Sequence, residues 1–327
     1  MTLLLGDADV RATANMAQLV DAVEAVLREE HDGLVTMPPR VNVSGDGTVL
    51  RLMPVHLARS NLMGYKSFHG SMSTGVRYLI VLMRANDGEI LAMLDAALLT
   101  GLRTGATSGV ATRYLSSPAA ADVAVIGSGL EAQTNLAGVA AVRQVRRVRV
   151  FSPNPERRAA FAQQAGESLE VDVTAAATAR DAVRGADIVI VATNTGMNGP
   201  VAYLGEWIEA GQHIVSVGAT SPFLRELDPA CFEGPEHVVF DASPAQVFEE
   251  SGDLMAVTEE CRSRLTGALV LPDVVARGFD RGADDVTLFK SVGTAAQDIA
   301  AAKVVYDAAV EHGLGREIGV LAEAKQF

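Results

Sequence analysis

The stretch that most constrains what this chain can fold into is Asp122-Val-Ala-Val-Ile126-Gly127-Ser128-Gly129-Leu130-Glu131-Ala132, followed by the Ala-rich segment from Gln133 to Val142. A short β-branched run closed by glycine reads as a buried parallel strand that feeds a helix. Within the GxGxxA pattern each small residue has its own task. Gly127 permits a tight turn, Gly129 lets backbone N–H groups close on a pyrophosphate at the helix N-terminus, and Ala132 allows helix and strand to pack closely, with Ser128 and Leu130 filling the turn. This is a dinucleotide fingerprint, but glycine turns before helices are common, so the flanks must decide.

The flanks favour a nucleotide-binding unit. Further apolar runs follow at Arg147–Phe151, Asp187–Ala192, His213–Val217 and His237–Asp241, mostly separated by helical segments. That alternation is the pattern of a Rossmann-type, doubly wound parallel sheet in an α/β protein. The second strand runs into Ser152-Pro153-Asn154-Pro155-Glu156-Arg157-Arg158, with no acid at its tip for a ribose 2′-hydroxyl. Ser152 and Asn154 can hydrogen-bond a 2′-phosphate and Arg157 can pair with it, which favours NADP(H) over NAD(H). A proline-led helix start bearing two solvated arginines is the competing reading of the same residues.

Length and charge narrow the remaining choices. A chain of 327 residues suits two domains with sizeable cores. A net charge of −13 disfavours nucleic acid and anionic membranes as partners, and no apolar run approaches the ~18 residues of a membrane span. Met1 to Gly6 lacks a basic flank and a cleavage site, so no secretory signal is expected. Cys231 and Cys261 form no close-spaced pair, which points to a reduced, cytoplasmic setting. The histidines are scattered without HxH or HExxH spacing and there is no CxxC, so no metal site is expected.

Ahead of the fingerprint, apolar residues at helical spacing from Thr13 to Arg28 predict an amphipathic helix ended by Gly33. Extended runs at Thr36–Val43, Thr48–Met53, Arg77–Met83 and Glu89–Leu94 predict an antiparallel or mixed sheet. Small residues after Leu99 predict a helix beginning near Arg103, the strongest candidate for holding an anion. The segment from Ser116 to Asp122 is the most linker-like. Beyond the last strand a terminal helix reaches Glu311, with Ile299, Ala302, Val305 and Ala309 on its apolar side and Asp298, Lys303, Asp307 and Glu311 mostly elsewhere. The expected organisation is an N-terminal mixed α+β domain for substrate and dimerisation over 1–118, rejoined by the helix of 294–327, and a nucleotide domain over 119–293.

Several motifs together resemble the ornithine cyclodeaminase/mu-crystallin family: Met53-Pro-Val55, Gly64-Tyr-Lys66, Leu102-Arg103-Thr-Gly-Ala-Thr-Ser108, Val125–Ala132, Ser216–Pro222, Arg225-Glu-Leu-Asp228 and Phe289–Asp298. They span nearly the whole chain in order. The resemblance implies a homodimer, a Rossmann domain and hydride transfer at the carbon that bears an amino acid's nitrogen. It implies that Arg40 and Arg103 clamp the substrate carboxylate, that Lys66 serves carboxylate and nitrogen, and that Met53, with Val55 and Phe223, lines the side-chain pocket. Thr104, Thr193, Asn194 and Val292 would line the cofactor. Where the family's cyclodeaminases carry an Asp, this chain has Thr220, whose hydroxyl does not ionise near neutrality and can only orient water or a substrate nitrogen. The expected activity is therefore NAD(P)H-dependent reduction of a cyclic ketimine or other 2-oxo-acid-derived imine to an L-amino acid. The rivals are cyclodeamination of ornithine to proline and a non-catalytic role in holding NADPH or a small ligand.

Overall fold

A computed structural model describes residues 2–71, 73–197 and 199–325. The chain opens with strand β1 (Leu3–Leu5), helices α1 (Asp7–Thr13) and α2 (Met16–His31), and strands β2 (Val35–Thr36), β3 (Val41–Gly45), β4 (Thr48–Leu57), β5 (Leu62–Ser71), β6 (Gly75–Arg84) and β7 (Ile90–Asp95). Next come α3 (Ala97–Leu115), β8 (Asp122–Ile126), α4 (Leu130–Ala140), β9 (Arg147–Phe151), α5 (Pro155–Leu169), β10 (Asp172–Ala175), α6 (Ala179–Val183), β11 (Ile188–Val191) and β12 (His213–Ser216). The remainder is α7 (Ala230–Glu233), β13 (His237–Phe240), α8 (Pro244–Glu250), α9 (Glu259–Leu265), β14 (Leu269–Val270), α10 (Leu271–Arg277), β15 (Thr287–Lys290), α11 (Ala295–His312) and β16 (Arg316–Glu317). Internal packing divides the chain into Met1–Arg103 with Thr294–Phe327, and Thr104–Gly293. The division falls within α3, whereas the sequence set the boundary after residue 118, where that helix has just ended.

The first unit is built on a mixed sheet of order β16-β1-β7-β6-β5-β4-β2, with β3 also paired to β4. The long β4–β5–β6 meander sets the register that matters for the site: Met53 lies opposite Lys66, and Lys66 opposite Ile80. Helix α2 buries Leu19, Val20, Val23, Val26 and Leu27, the stripe its spacing predicts. Pro38 and Pro39 lie between β2 and β3, so the single extended run expected from Thr36 to Val43 is interrupted. Helix α3 begins at Ala97, earlier than expected, and a carboxylate oxygen of Asp95 accepts from Ala97 N at 3.0 Å.

Helix α11 returns to this sheet and packs on α2, β4, β5 and β6. Thr294 and Gln297 close its first turn as a capping box, and Gly313, at φ 63°, ends it. Sheet and helix approach closely at Gly64, where a Cβ would lie 2.2 Å from Val81 O and 2.9 Å from Ile299 Cδ1. Asp298, expected on the polar side of this helix, is fully buried instead. It is held inside by two cationic side chains described below.

The second unit is an all-parallel sheet of order β10-β9-β8-β11-β12-β15-β13-β14. Strands β11, β12 and β15 are buried along their whole length and β8 at all but Asp122, as in a sheet covered on both faces. Among the described residues no helix is long and apolar enough to cross a membrane.

Two glycines bring α3 and α4 almost into backbone contact. A Cβ on Gly138 would sit 1.8 Å from Gly105 O, and one on Gly105 would sit 2.0 Å from Thr134 O. Since a backbone carbonyl cannot rotate aside, Gly138→Ala should force the helices apart and lower stability by about 1–3 kcal/mol. A shift of the denaturant midpoint measures this, and an unchanged midpoint would contradict the close packing.

Candidate active site

In the first unit three charged side chains from distant parts of the chain meet out of solvent. Lys66 projects from β5, Arg103 from α3 and Asp298 from the first turn of α11, and all three are buried. Lys66 Nζ donates to Asp298 Oδ1 at 2.9 Å and lies 2.7 Å from Oδ2, while Arg103 Nε donates to Oδ1 at 2.8 Å. Arg103 Nη1 also donates to Gln297 Oε1 at 3.3 Å, so the capping-box glutamine helps orient the guanidinium. Burial pulls Lys66 down from its ordinary 10.5 to about 8; Asp298 opposes that shift, and the charges of Arg103 and Arg40 reinforce it. The structure therefore brings together Lys66, Arg103 and, through its charge, Arg40, with Met53 directly across the strand pair from Lys66.

In the second unit the fingerprint turn has the shape a pyrophosphate requires. Gly127 takes φ 127°, and a Cβ there would meet Ala192 O at 2.2 Å, so only glycine fits. At Gly129 a Cβ would meet nothing within 4 Å. Open space thus lies over the N-terminus of α4, which begins at Leu130, while Ala132 is buried below. These residues fit a dinucleotide, whose diphosphate would rest on the helix N-terminus. Ser128 Oγ donates to Ser152 Oγ at 2.9 Å, tying the turn to the tip of β9. Asn154 accepts from Arg157 N at 2.9 Å as the cap of α5, and Arg157 is exposed. Arg158 is the guanidinium folded back on the strand tip: it lies 5.3 Å from the Phe151 ring centroid and donates to Ser152 O at 3.0 Å.

Buried carboxylates hold the other strand ends in this unit. Glu226 Oε2 accepts from Thr193 N and Thr193 Oγ1, both at 3.0 Å, and Oε1 accepts from Ser216 Oγ and Gly218 N, both at 2.7 Å. Lys290 Nζ donates to Ser216 Oγ at 3.0 Å and to Asp253 Oδ2 at 2.7 Å, and Asp253 Oδ1 accepts from the backbone of Glu226 and Leu227. Burial pushes the Glu226 carboxyl up, against the pull of Lys290. Asp241 does the same work at the exit of β15, accepting from Val292 N at 2.9 Å and Gly293 N at 2.8 Å. Thr193 and Val292 are therefore fixed by carboxylates. Asn194 accepts from Gly196 N, Thr104 is buried on α3, and Thr220 lies half-buried in the loop after β12.

A dinucleotide turn in a parallel sheet, carried by the same chain as a buried lysine–arginine–aspartate cluster, defines an NAD(P)-dependent oxidoreductase. Residues 1–313 match the ornithine cyclodeaminase/mu-crystallin family, and the chain belongs to it. It is 34% identical over 246 residues to a delta(1)-pyrroline-2-carboxylate reductase of Bacillus cereus, covering 73% of each chain. The Thermococcus litoralis delta(1)-pyrroline-2-carboxylate reductase, solved with NADH and L-proline, superposes with a TM-score of 0.89 at 30% identity, over 97% of this chain and 100% of that one. An archaeal alanine dehydrogenase dimer with bound NAD gives 0.87 at 28% identity, over 97% and 99%.

Asp298, Gln297, Arg158, Glu226 and Asp241 join these clusters without having been singled out in the sequence. A usable signal existed for Asp298 and Glu226, since each is an acid set inside a motif that already pointed to the site. The open space at Gly129 yields a direct test. Gly129→Ala should leave the thermal midpoint unchanged, because its Cβ meets nothing, yet weaken dinucleotide binding by on the order of tenfold or more through lost charge-assisted hydrogen bonds. Equal affinity by fluorescence titration would show that the diphosphate does not rest on this turn.

Proposed function

We propose that the protein reduces a cyclic ketimine or other imine of a 2-oxo acid to the L-amino acid, using NADPH in preference to NADH. The observation that carries this reading is the buried Lys66–Asp298–Arg103 cluster, in which a lysine of lowered basicity shares one carboxylate with a guanidinium. The identity to pyrroline-2-carboxylate reductases supports the imine class of substrate.

In this mechanism Arg103 and Arg40 bind the substrate carboxylate and fix the carbon beside it, which can contribute several kcal/mol through orientation. Lys66, protonated at neutral pH, donates a proton to the imine nitrogen and is left as a neutral amine. Met53 borders the substrate from the adjacent strand. Thr220 assists by hydrogen bonding, since its hydroxyl cannot act as a base. The reduced nicotinamide, when bound, supplies hydride to the carbon. Thr104, Thr193, Asn194 and Val292 line its site, and Glu226 and Asp241 hold two of these in place. The missing ionisable group at Thr220 counts against a cyclodeaminase, which must manage protons at an amine without net redox change.

Preference for NADPH rests on the second strand tip: Ser152, Asn154 and Arg157 offer donors to a 2′-phosphate, Arg158 adds a further guanidinium, and no acid stands at the end of the strand itself. A homodimer is supported by β3, where Val41 and Val43 are exposed at 48% and 58% on a strand that pairs, among the described residues, with β4 alone. The two buried free thiols, Cys231 and Cys261, suit a reducing cytoplasm.

Pyrroline-2-carboxylate or piperideine-2-carboxylate should drive stoichiometric NADPH oxidation. Release of ammonia from ornithine without net cofactor change would replace this reading with the lyase. Arg103→Ala should raise the KM for the imine by on the order of 10- to 100-fold, the loss of a charged hydrogen-bond pair. Because Lys66 titrates at about 8, kcat/KM for reduction should fall as pH rises through that value, and kcat/KM for amine oxidation should rise through it. A flat profile would remove Lys66 from the proton step.

A further inference from the structure

Asp298 is bonded to both cations of the cluster, and nothing in the proton transfer itself requires it. We infer that Asp298 is the positioning residue of the reaction: it keeps Lys66 protonated and aimed for transfer, and it sets the angle at which Arg103 meets the substrate carboxylate. This rests on the reading of Lys66 as the proton donor.

The geometry carries the inference in three ways. Lys66 Nζ donates to Asp298 Oδ1 at 2.9 Å and lies 2.7 Å from Oδ2, so the ammonium is held against the carboxylate. Arg103 engages Asp298 through Nε, the side of the guanidinium away from its tip, and Nη1 is steadied by Gln297, the residue before Asp298. One turn of one helix therefore presets both substrate-facing cations. That turn is itself fixed by the Thr294–Gln297 capping box, and the N-terminus of a helix favours negative charge there.

The charged groups that act on Lys66 are Asp298 from α11, Arg103 from α3 and Arg40 from the segment before β3, while its cross-strand neighbours Met53 and Ile80 are uncharged. Two cations and burial drive the proton off Lys66, and Asp298 alone opposes them. Without that carboxylate the lysine would lose its proton at lower pH. During transfer the Nζ–H bond breaks with its electron pair remaining on Nζ, and a new N–H bond forms on the imine. The reduced nicotinamide, when bound, would supply the hydride that the carbon needs, which balances reduction of the imine to the amino acid. Lys66 regains a proton from water once the product leaves.

The test is kcat/KM for imine reduction as a function of pH in the wild type, Asp298→Asn, Asp298→Glu and Lys66→Gln. In Asp298→Asn the alkaline fall-off should move down by about one pH unit or more, the KM for the imine should rise, and the KM for NADPH should stay within about twofold. Asp298→Glu, which retains the charge, should return the fall-off toward its wild-type position. A folded Asp298→Asn protein whose fall-off does not move would reduce Asp298 to a structural role and overturn the inference. If Asp298→Asn does not fold, Asp298→Glu decides: a retained fall-off with raised imine KM supports the inference, and a lost fall-off contradicts it. Lys66→Gln separates the two layers, because a fall-off that persists there shows Lys66 is not the donor and defeats the underlying functional reading, whatever Asp298 does.

Discussion

The carboxylate of Asp298, shared between Lys66 and Arg103, is the interaction that holds the buried charges of the first unit together. Taking three ionised groups out of water costs several kcal/mol per ion, and only close geometry with further hydrogen bonds offsets that. Here the offset comes from an oxygen that accepts from both cations at 2.8–2.9 Å and a second oxygen 2.7 Å from Lys66. Such a cluster is weak evidence for stability and stronger evidence for chemistry, since an apolar replacement of similar volume would cost less to bury. It also joins parts of the chain 232 residues apart, so the C-terminal helix belongs to the site and not merely to the scaffold.

The second unit uses buried acids differently. Glu226 and Asp241 accept backbone N–H groups at the ends of parallel strands, where a loop would otherwise leave donors unsatisfied. In an open α/β sheet those ends are where ligands bind. Glu226 ties the residues after β11 to those after β12, and Lys290, whose Nζ lies 3.8 Å from Glu226 and donates to Asp253, sets a positive charge between the two carboxylates. Arg103 and Thr104, both buried, are consecutive residues on α3. Close packing of α3 on α4 through Gly105 and Gly138 fixes that helix without large side chains.

Much of this was legible in the sequence, for reasons that differ by element. The β8–turn–α4 unit was plain because glycine conformation and strand burial are local properties, and α2 because its apolar stripe is strict. Strand β5 was not read as a strand: Leu62-Met-Gly-Tyr-Lys-Ser-Phe-His-Gly-Ser71 shows no alternation, and it is extended because β4 and β6 pair with it on both sides. The roles of Lys66, Arg103 and Arg40 came from motif resemblance, whereas the acids that govern them did not. Asp298 falls on a helix whose spacing alone assigns it to solvent, and partners from β5 and α3 explain its burial. That Arg158 rather than Arg157 folds back on the strand tip depends on how the chain turns after Phe151, which the sequence pattern does not show.

The central claim is that burial and neighbouring cations make Lys66 a proton donor tuned close to neutrality. The sequence has four lysines, Lys66, Lys290, Lys303 and Lys325, so an NMR titration of side-chain-labelled lysine, assigned with Lys66→Gln, can follow Lys66 by itself in the unliganded protein. The account predicts that its resonance titrates at about 8. A Lys66 resonance that moves only at about 10.4, the value of an ordinary exposed lysine, would contradict it.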